Sequence, residues 1–84
     1  MCAVEFLPSA AKTLSNLDDA VRRRIARRID RLAVEPRGGG AILLRGAEDV
    51  WRCRVGDYRI LYRVEDERLV ILVIRIGHRR DVYR

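Results

Sequence analysis

The chain is poor in several features that would settle its class at once. Lysine, histidine, tryptophan and phenylalanine each occur once among 84 residues, and proline twice. Long apolar runs are missing: arginine or glycine breaks each one well short of the ~18 residues that a membrane span needs. The opening M-C-A-V-E-F-L-P has no basic stretch followed by a long apolar one, so it does not read as a secretory leader. A cytoplasmic location is expected. Cysteine appears only as Cys2 and Cys53. Without a leader, two reduced thiols are expected, a single disulfide being the alternative. Neither has a histidine or second cysteine at metal-ligand spacing, so no metal and no cofactor are expected. There is no internal repeat and no linker long enough to divide the chain, which reads as one small domain over residues 1–84.

What the chain does have is arginine. Seventeen arginines and one lysine face twelve acids, for a net charge of +6 and a pI of about 10.3. Such a field favours nucleic acid or an acidic protein as partner. A GC-rich coding bias would explain arginine in place of lysine, but not the excess of positive charge. Apolar residues, at 49%, suffice for a core.

A-V-E-F-L (3–7) alternates as a short strand. Pro8 and Ser9 open a short helix that should end near Leu17. Asp18 or Asp19 can cap a second, longer helix, in which Val21, Ile25, Ile29 and Leu32 make one apolar stripe. Its opposite face carries Arg22, Arg23, Arg24, Arg27, Arg28 and Arg31, until Pro36 and R-G-G-G end it. This face suits either a solvated surface or one that rides on phosphates.

Four strands follow: A-I-L-L-R-G (41–46), W-R-C-R-V (51–55), Y-R-I-L-Y-R-V (58–64) and L-V-I-L-V-I-R-I (69–76). The last is apolar on both faces and is expected to be central and covered on both sides. E-D-E-R (65–68) makes the turn before it. The order β-α-α-β-β-β-β implies an α+β fold, a largely antiparallel sheet of four to five strands with a helical hairpin packed on one face.

Gly56-Asp57 is a two-residue loop suited to a type II′ turn. Val55 then pairs with Tyr58, Arg54 with Arg59 and Cys53 with Ile60. Trp51, Cys53, Val55, Tyr58, Ile60 and Tyr62 share one face, and Arg52, Arg54, Arg59 and Arg63 the other. Directly opposed like charges cost about 0.2–1 kcal/mol. A bound phosphodiester removes that cost, and so would structural neutralisation by Asp57, Glu48 or Asp49. Past the last strand, Gly77 lets the backbone leave the sheet, and His78, Arg79, Arg80 and Tyr83 follow within reach of the arginine face. His78 is the only side chain whose ordinary pKa lies near neutrality.

The runs W-R-C-R-V-G-D-Y-R-I-L-Y and L-V-I-L-V-I-R-I-G-H-R-R-D-V-Y resemble the RelE branch of the RelE/ParE toxin superfamily. The likeness covers the whole chain and is concentrated between Leu44 and Tyr83. It implies the toxin of a toxin–antitoxin pair, a ribosome-dependent endoribonuclease that cuts mRNA in the decoding site without metal. It also implies a cognate antitoxin whose extended or helical segment wraps the toxin. Residue by residue, Arg52 and Arg54 match two basic positions that are often lysine in relatives, Arg59 the arginine of G-D-Y-R, Arg79 the arginine after the glycine, and Tyr83 the terminal tyrosine. The chain stops one residue after Tyr83, where some relatives continue into a helix.

The chemistry this implies is attack of a 2′-hydroxyl on its own phosphate. Arg54, Arg59 and Arg79 suit stabilisation of the phosphorane, as charged donors aimed at phosphate oxygens. His78 and Tyr83 are the candidates for moving protons, with their division between acid and base open. Arg52, Arg63, Arg80, Arg22, Arg23 and Arg27 are the expected contacts to RNA and ribosome. Two other readings fit the composition: a ParE-like poison of DNA gyrase, and a non-catalytic basic module that binds nucleic acid or an acidic peptide.

Overall fold

A computed structural model of the chain describes residues 2–38, 40–44 and 49–76. Strand β1 (Ala3–Phe6) is followed by helix α1 (Pro8–Ser15) and helix α2 (Asp19–Val34). Strands β2 (Ile42–Leu43), β3 (Val50–Val55), β4 (Tyr58–Glu65) and β5 (Arg68–Ile76) complete the domain. The sheet order is β1-β5-β4-β3-β2, with β1 parallel to β5 and every other pair antiparallel. This is the α+β architecture expected.

Pro8 opens α1, where its fixed φ suits the first turn and its missing N–H has no intrahelical acceptor to lose. The helix stops at Ser15, slightly before Leu17: the Asn16 amide is shared between the Lys12 and Thr13 carbonyls, and the Leu17 amide turns to the Leu14 carbonyl, an i→i−3 bond that tightens the last turn. Asp18 stands at the N-cap of α2 without a side-chain capping bond. Asp19 instead pairs with Arg22 one turn on.

The apolar stripe of α2 behaves as its periodicity requires. Ile25, Ile29, Leu32 and Ala33 are buried, together with Ala10 of α1, against Cys53, Ile60, Tyr62, Val64, Leu69, Ile71 and Ile74. Each large aliphatic side chain buried there contributes about 1.5–3 kcal/mol. Tyr62 is fully buried, and its hydroxyl donates to the Pro36 carbonyl, tying the loop after α2 to β4. Burial pushes this phenol up to about 12, so it remains a neutral donor across the physiological range. Burial likewise raises the Cys53 thiol, with Arg28 opposing. Both cysteines are free.

Two expectations are met in part among the described residues. Of the strand expected over 41–46, Arg45 and Gly46 lie outside the described residues; Ile42 and Leu43 stand opposite Arg52 and Trp51, and the Leu44 amide continues the pairing to the Val50 carbonyl. β5 is flanked by β1 and β4, as expected of an internal strand, and among the described residues helices cover one of its faces. Leu69, Ile71 and Ile74 are buried, whereas Val73 is 36% exposed. The misleading run of apolar residues comes from a bulge. Tyr62 pairs with Ile71 and Leu61 with Val73, so Leu72 is an extra residue that shifts the phase of the alternation.

Candidate nucleic-acid interface

The hairpin of β3 and β4 forms in the expected register, with Val55 opposite Tyr58 and Arg54 opposite Arg59. Gly56 has φ +58° while Asp57 stays out of the left-handed region, the pattern of a type II′ turn. Val55 and Tyr58 flank the two-residue loop and exchange hydrogen bonds, so by alternation Arg54 and Arg59 form a non-hydrogen-bonded pair. The Val50 carbonyl, in phase with Arg54, accordingly points away from β4 and accepts the Leu44 amide at 2.9 Å. Non-hydrogen-bonded pairs are the closer kind, about 4.5 Å between Cα atoms. The fold therefore holds two guanidinium-bearing residues at the nearest cross-strand spacing available.

The row does not end there. Arg59 is also opposite Arg75 of β5. Arg54, Arg59 and Arg75 thus stand side by side across three strands, with Arg52 and Arg63 on the same face. None of Arg52, Arg54, Arg59 and Arg75 has an ion-pair partner among the described residues. Asp49 and Asp57 do not neutralise them, and Glu48 lies outside the described residues. The Nε and Nη2 atoms of Arg59 and the Nε of Arg52 are buried without hydrogen-bond partners. An unsatisfied buried donor costs about 1–3 kcal/mol, more when charged. Such a row of unpaired guanidinium donors has the electrostatics that suit an anion.

The other end of the face is different. Arg68 binds Glu65 at 2.9 Å and Glu5 at 3.2 Å, and Arg63 lies 3.7 Å from Glu65. Arg63 therefore sits between the neutralised end and the bare one.

Part of the basic face of α2 comes to the same hairpin. Arg24, Arg27, Arg28 and Arg31 form one wall of a cleft of about 550 Å³, whose other wall is β3 from Arg52 to Gly56. Gly56 is favoured by its positive φ, and a Cβ there would lie 3.0 Å from Nη2 of Arg24, the far end of an exposed side chain. Of the α2 residues expected to contact RNA, Arg27 lines this cleft. Arg22 is paired with Asp19, and Arg23 is exposed outside the cleft.

The expected site residues are thus brought together in part. Arg52, Arg54 and Arg59 converge, with Arg63 beside them. His78, Arg79, Arg80 and Tyr83 lie outside the described residues. Arg75 is the member of the row that reading the sequence missed. Its signal, an arginine inside an apolar strand, was present, but the bulge at Leu72 conceals which face it takes.

Residues 4–83 match the family model described as the ParE toxin of the type II toxin–antitoxin system parDE. The toxin RelG of Mycobacterium tuberculosis is 32% identical over 82 residues, spanning 96% of this chain and 94% of RelG. The mRNA interferase toxin RelE of Escherichia coli K12 is 31% identical over 84 residues, spanning 95% and 87%. Among solved structures, the archaeal RelE–RelB complex of Pyrococcus horikoshii aligns with a TM-score of 0.80 at 32% identity, over 93% of this chain and 97% of that one.

Proposed function

This chain belongs to the ParE/RelE family of type II toxin–antitoxin toxins, on its RelE branch, and from that premise we propose that it is a ribosome-dependent mRNA endoribonuclease. The observation that carries the reading is the row Arg54–Arg59–Arg75, whose central guanidinium has buried donors and no partner among the described residues. A metal-free cut has the 2′-hydroxyl attack its own phosphorus in line and expel the 5′-oxygen. Charge develops on the phosphorane oxygens, where preorganised guanidinium donors are worth most. Arg59, joined by Arg54 and by Arg79 from the tail, stabilises that charge. Arg52 and Arg63 hold flanking phosphates, and Arg80, Arg22, Arg23 and Arg27 extend the basic surface toward the ribosome. His78 and Tyr83 are the proton-handling candidates. RelE-type relatives solved with RelB support a cognate antitoxin as this toxin's partner.

The match to the ParE family description favours one second reading, a DNA gyrase poison. Primer extension on a reporter mRNA in a translating extract separates the two. Cuts within the reading frame that need ribosomes and vanish with Arg59→Ala are the expected result. Growth arrest without cuts moves the assignment to gyrase. Toxicity that survives Arg59→Ala but is lost on charge reversal of residues 22–31 indicates a binding module alone.

A further inference from the structure

The open face of the sheet is not arginine throughout. Leu61 of β4 stands opposite Arg52 of β3 on one side and Val73 of β5 on the other, so Leu61 and Val73 share the face of Arg54, Arg59 and Arg75. Val73 is exposed and Leu61 partly so. Cations bound this aliphatic pair on three sides. Arg59 and Arg75 lie two residues away toward the β3–β4 turn, Arg52 flanks Leu61 across the ladder, and Arg63 follows two residues along β4.

Single exposed aliphatic residues are ordinary. This pair is set apart by its place, one step along the strands from the row that suits an anion. Same-face residues on a strand are about 6.5–7 Å apart, the reach of one ribose from a phosphate to its base. A phosphate on Arg59 and Arg75 therefore brings the attached base over Leu61 and Val73.

We propose that Leu61 and Val73 form the floor of a nucleobase subsite, on which one base of the RNA lies flat beside a phosphate held by the arginine row. Stacking of a base on apolar side chains is a common way to hold it. The two side chains come from strands about 5 Å apart, so a fused purine covers both and a pyrimidine ring only one. Neither carries a donor or an acceptor, so the floor takes the base by its ring face and leaves its hydrogen-bonding edge unread. Arg52, at the β3 end of the same rung, serves a flanking phosphate. Adenine and guanine are then held alike, and both better than uracil. This deepens the substrate side of the proposed function and rests on that reading for RNA as the strand bound.

The test uses the full chain with ¹³C-labelled methyl groups and four probes: the 5′-monophosphates of adenosine, guanosine and uridine, and ribose 5-phosphate. A base lying flat moves the Leu61 and Val73 methyl proton signals upfield by its ring current, and ribose 5-phosphate leaves them in place. The two purine nucleotides should bind within about twofold of each other and about tenfold more tightly than ribose 5-phosphate. Val73→Phe puts an aromatic floor at an exposed position. It should tighten both purine nucleotides by about threefold or more and hold ribose 5-phosphate within about twofold. Absence of methyl shifts with every nucleotide, downfield shifts, or equal affinity for all four probes would overturn the proposal. So would a preference of about tenfold for guanosine over adenosine monophosphate, since an edge would then be read. Upfield methyl shifts in a chain that cuts no mRNA would retire the ribonuclease reading and leave a nucleotide site. Ribosome-dependent cuts by a chain whose methyls ignore every nucleotide would retire the floor alone.

Discussion

The exposed face of the sheet carries arginines at both ends and treats them in opposite ways. At one end Arg68 is held between Glu5 and Glu65, with Arg63 close to the latter. At the other, Arg54, Arg59 and Arg75 stand in a row with no carboxylate in reach among the described residues. Both ends use the same strands and the same side-chain type. The neutralised end contributes to the fold. The bare end costs stability, and under the proposed function that cost is removed by an anion that the fold does not itself supply.

The difference can be broken most forcefully at Arg59. Arg59→Ala should lower the rate of ribosome-dependent cleavage about 10²–10³-fold, as loss of one preorganised donor does elsewhere. The same variant should be as stable as the unaltered chain, or more stable by up to about 1 kcal/mol, since an opposed like charge is gone. Urea titration alongside the cleavage assay checks both. Lost stability would mean that the row is structural after all.

Tyr62, on the covered face of the same sheet, sharpens the contrast, because there a polar group is kept neutral. A tyrosine in the unfolded chain ionises near 10, whereas the folded phenol holds its proton up to about 12. Its contribution to stability is complete below pH 10 and is lost as pH rises from 10 to 12. That loss should amount to about 2–3 kcal/mol. Tyr62→Phe should be less stable than the unaltered chain near neutrality, by about 0.5–1.5 kcal/mol for the hydrogen bond to Pro36. It should also show a flatter alkaline limb in unfolding curves measured across that interval.

Arg75→Ala, at the end of the row, should weaken cleavage about tenfold, the scale of one charge-assisted hydrogen bond, with Arg75→Lys restoring part of the loss. An unchanged rate would confine the phosphate site to β3 and β4. The smallest effect belongs to the neutralised end. Arg68→Ala should cost less than about 1 kcal/mol, because its pairs are solvent-screened, and should leave cleavage untouched.

How much of this was legible in the sequence follows from the range of the forces involved. The β3–β4 hairpin was legible because a two-residue loop fixes register locally, and one glycine carries the turn. The stripe of α2 was legible because its period is that of the helix. β5 was harder to read because a single unpaired residue shifts the phase of its alternation, and Arg75 was overlooked with it. The cleft had no local signature, since residues 24–31 and 52–56 meet only through the packing of α2 on the sheet. β2 was legible at its centre, where the strand-like A-I-L-L-R-G places Ile42, Leu43 and Leu44 against β3.

The bulge at Leu72 carries a consequence for how the gene tolerates insertions and deletions. Removing that one codon would leave Ile71 opposite Tyr62 and Val73 opposite Leu61, so every later side chain of β5 would keep its face. Removing a neighbouring codon without relocating the bulge would carry Arg75 toward the helices and turn Ile74 out to solvent. Since Leu72 can instead take the vacated place in the ladder and restore the pairing, one-residue gaps among homologous genes should gather in this part of the strand.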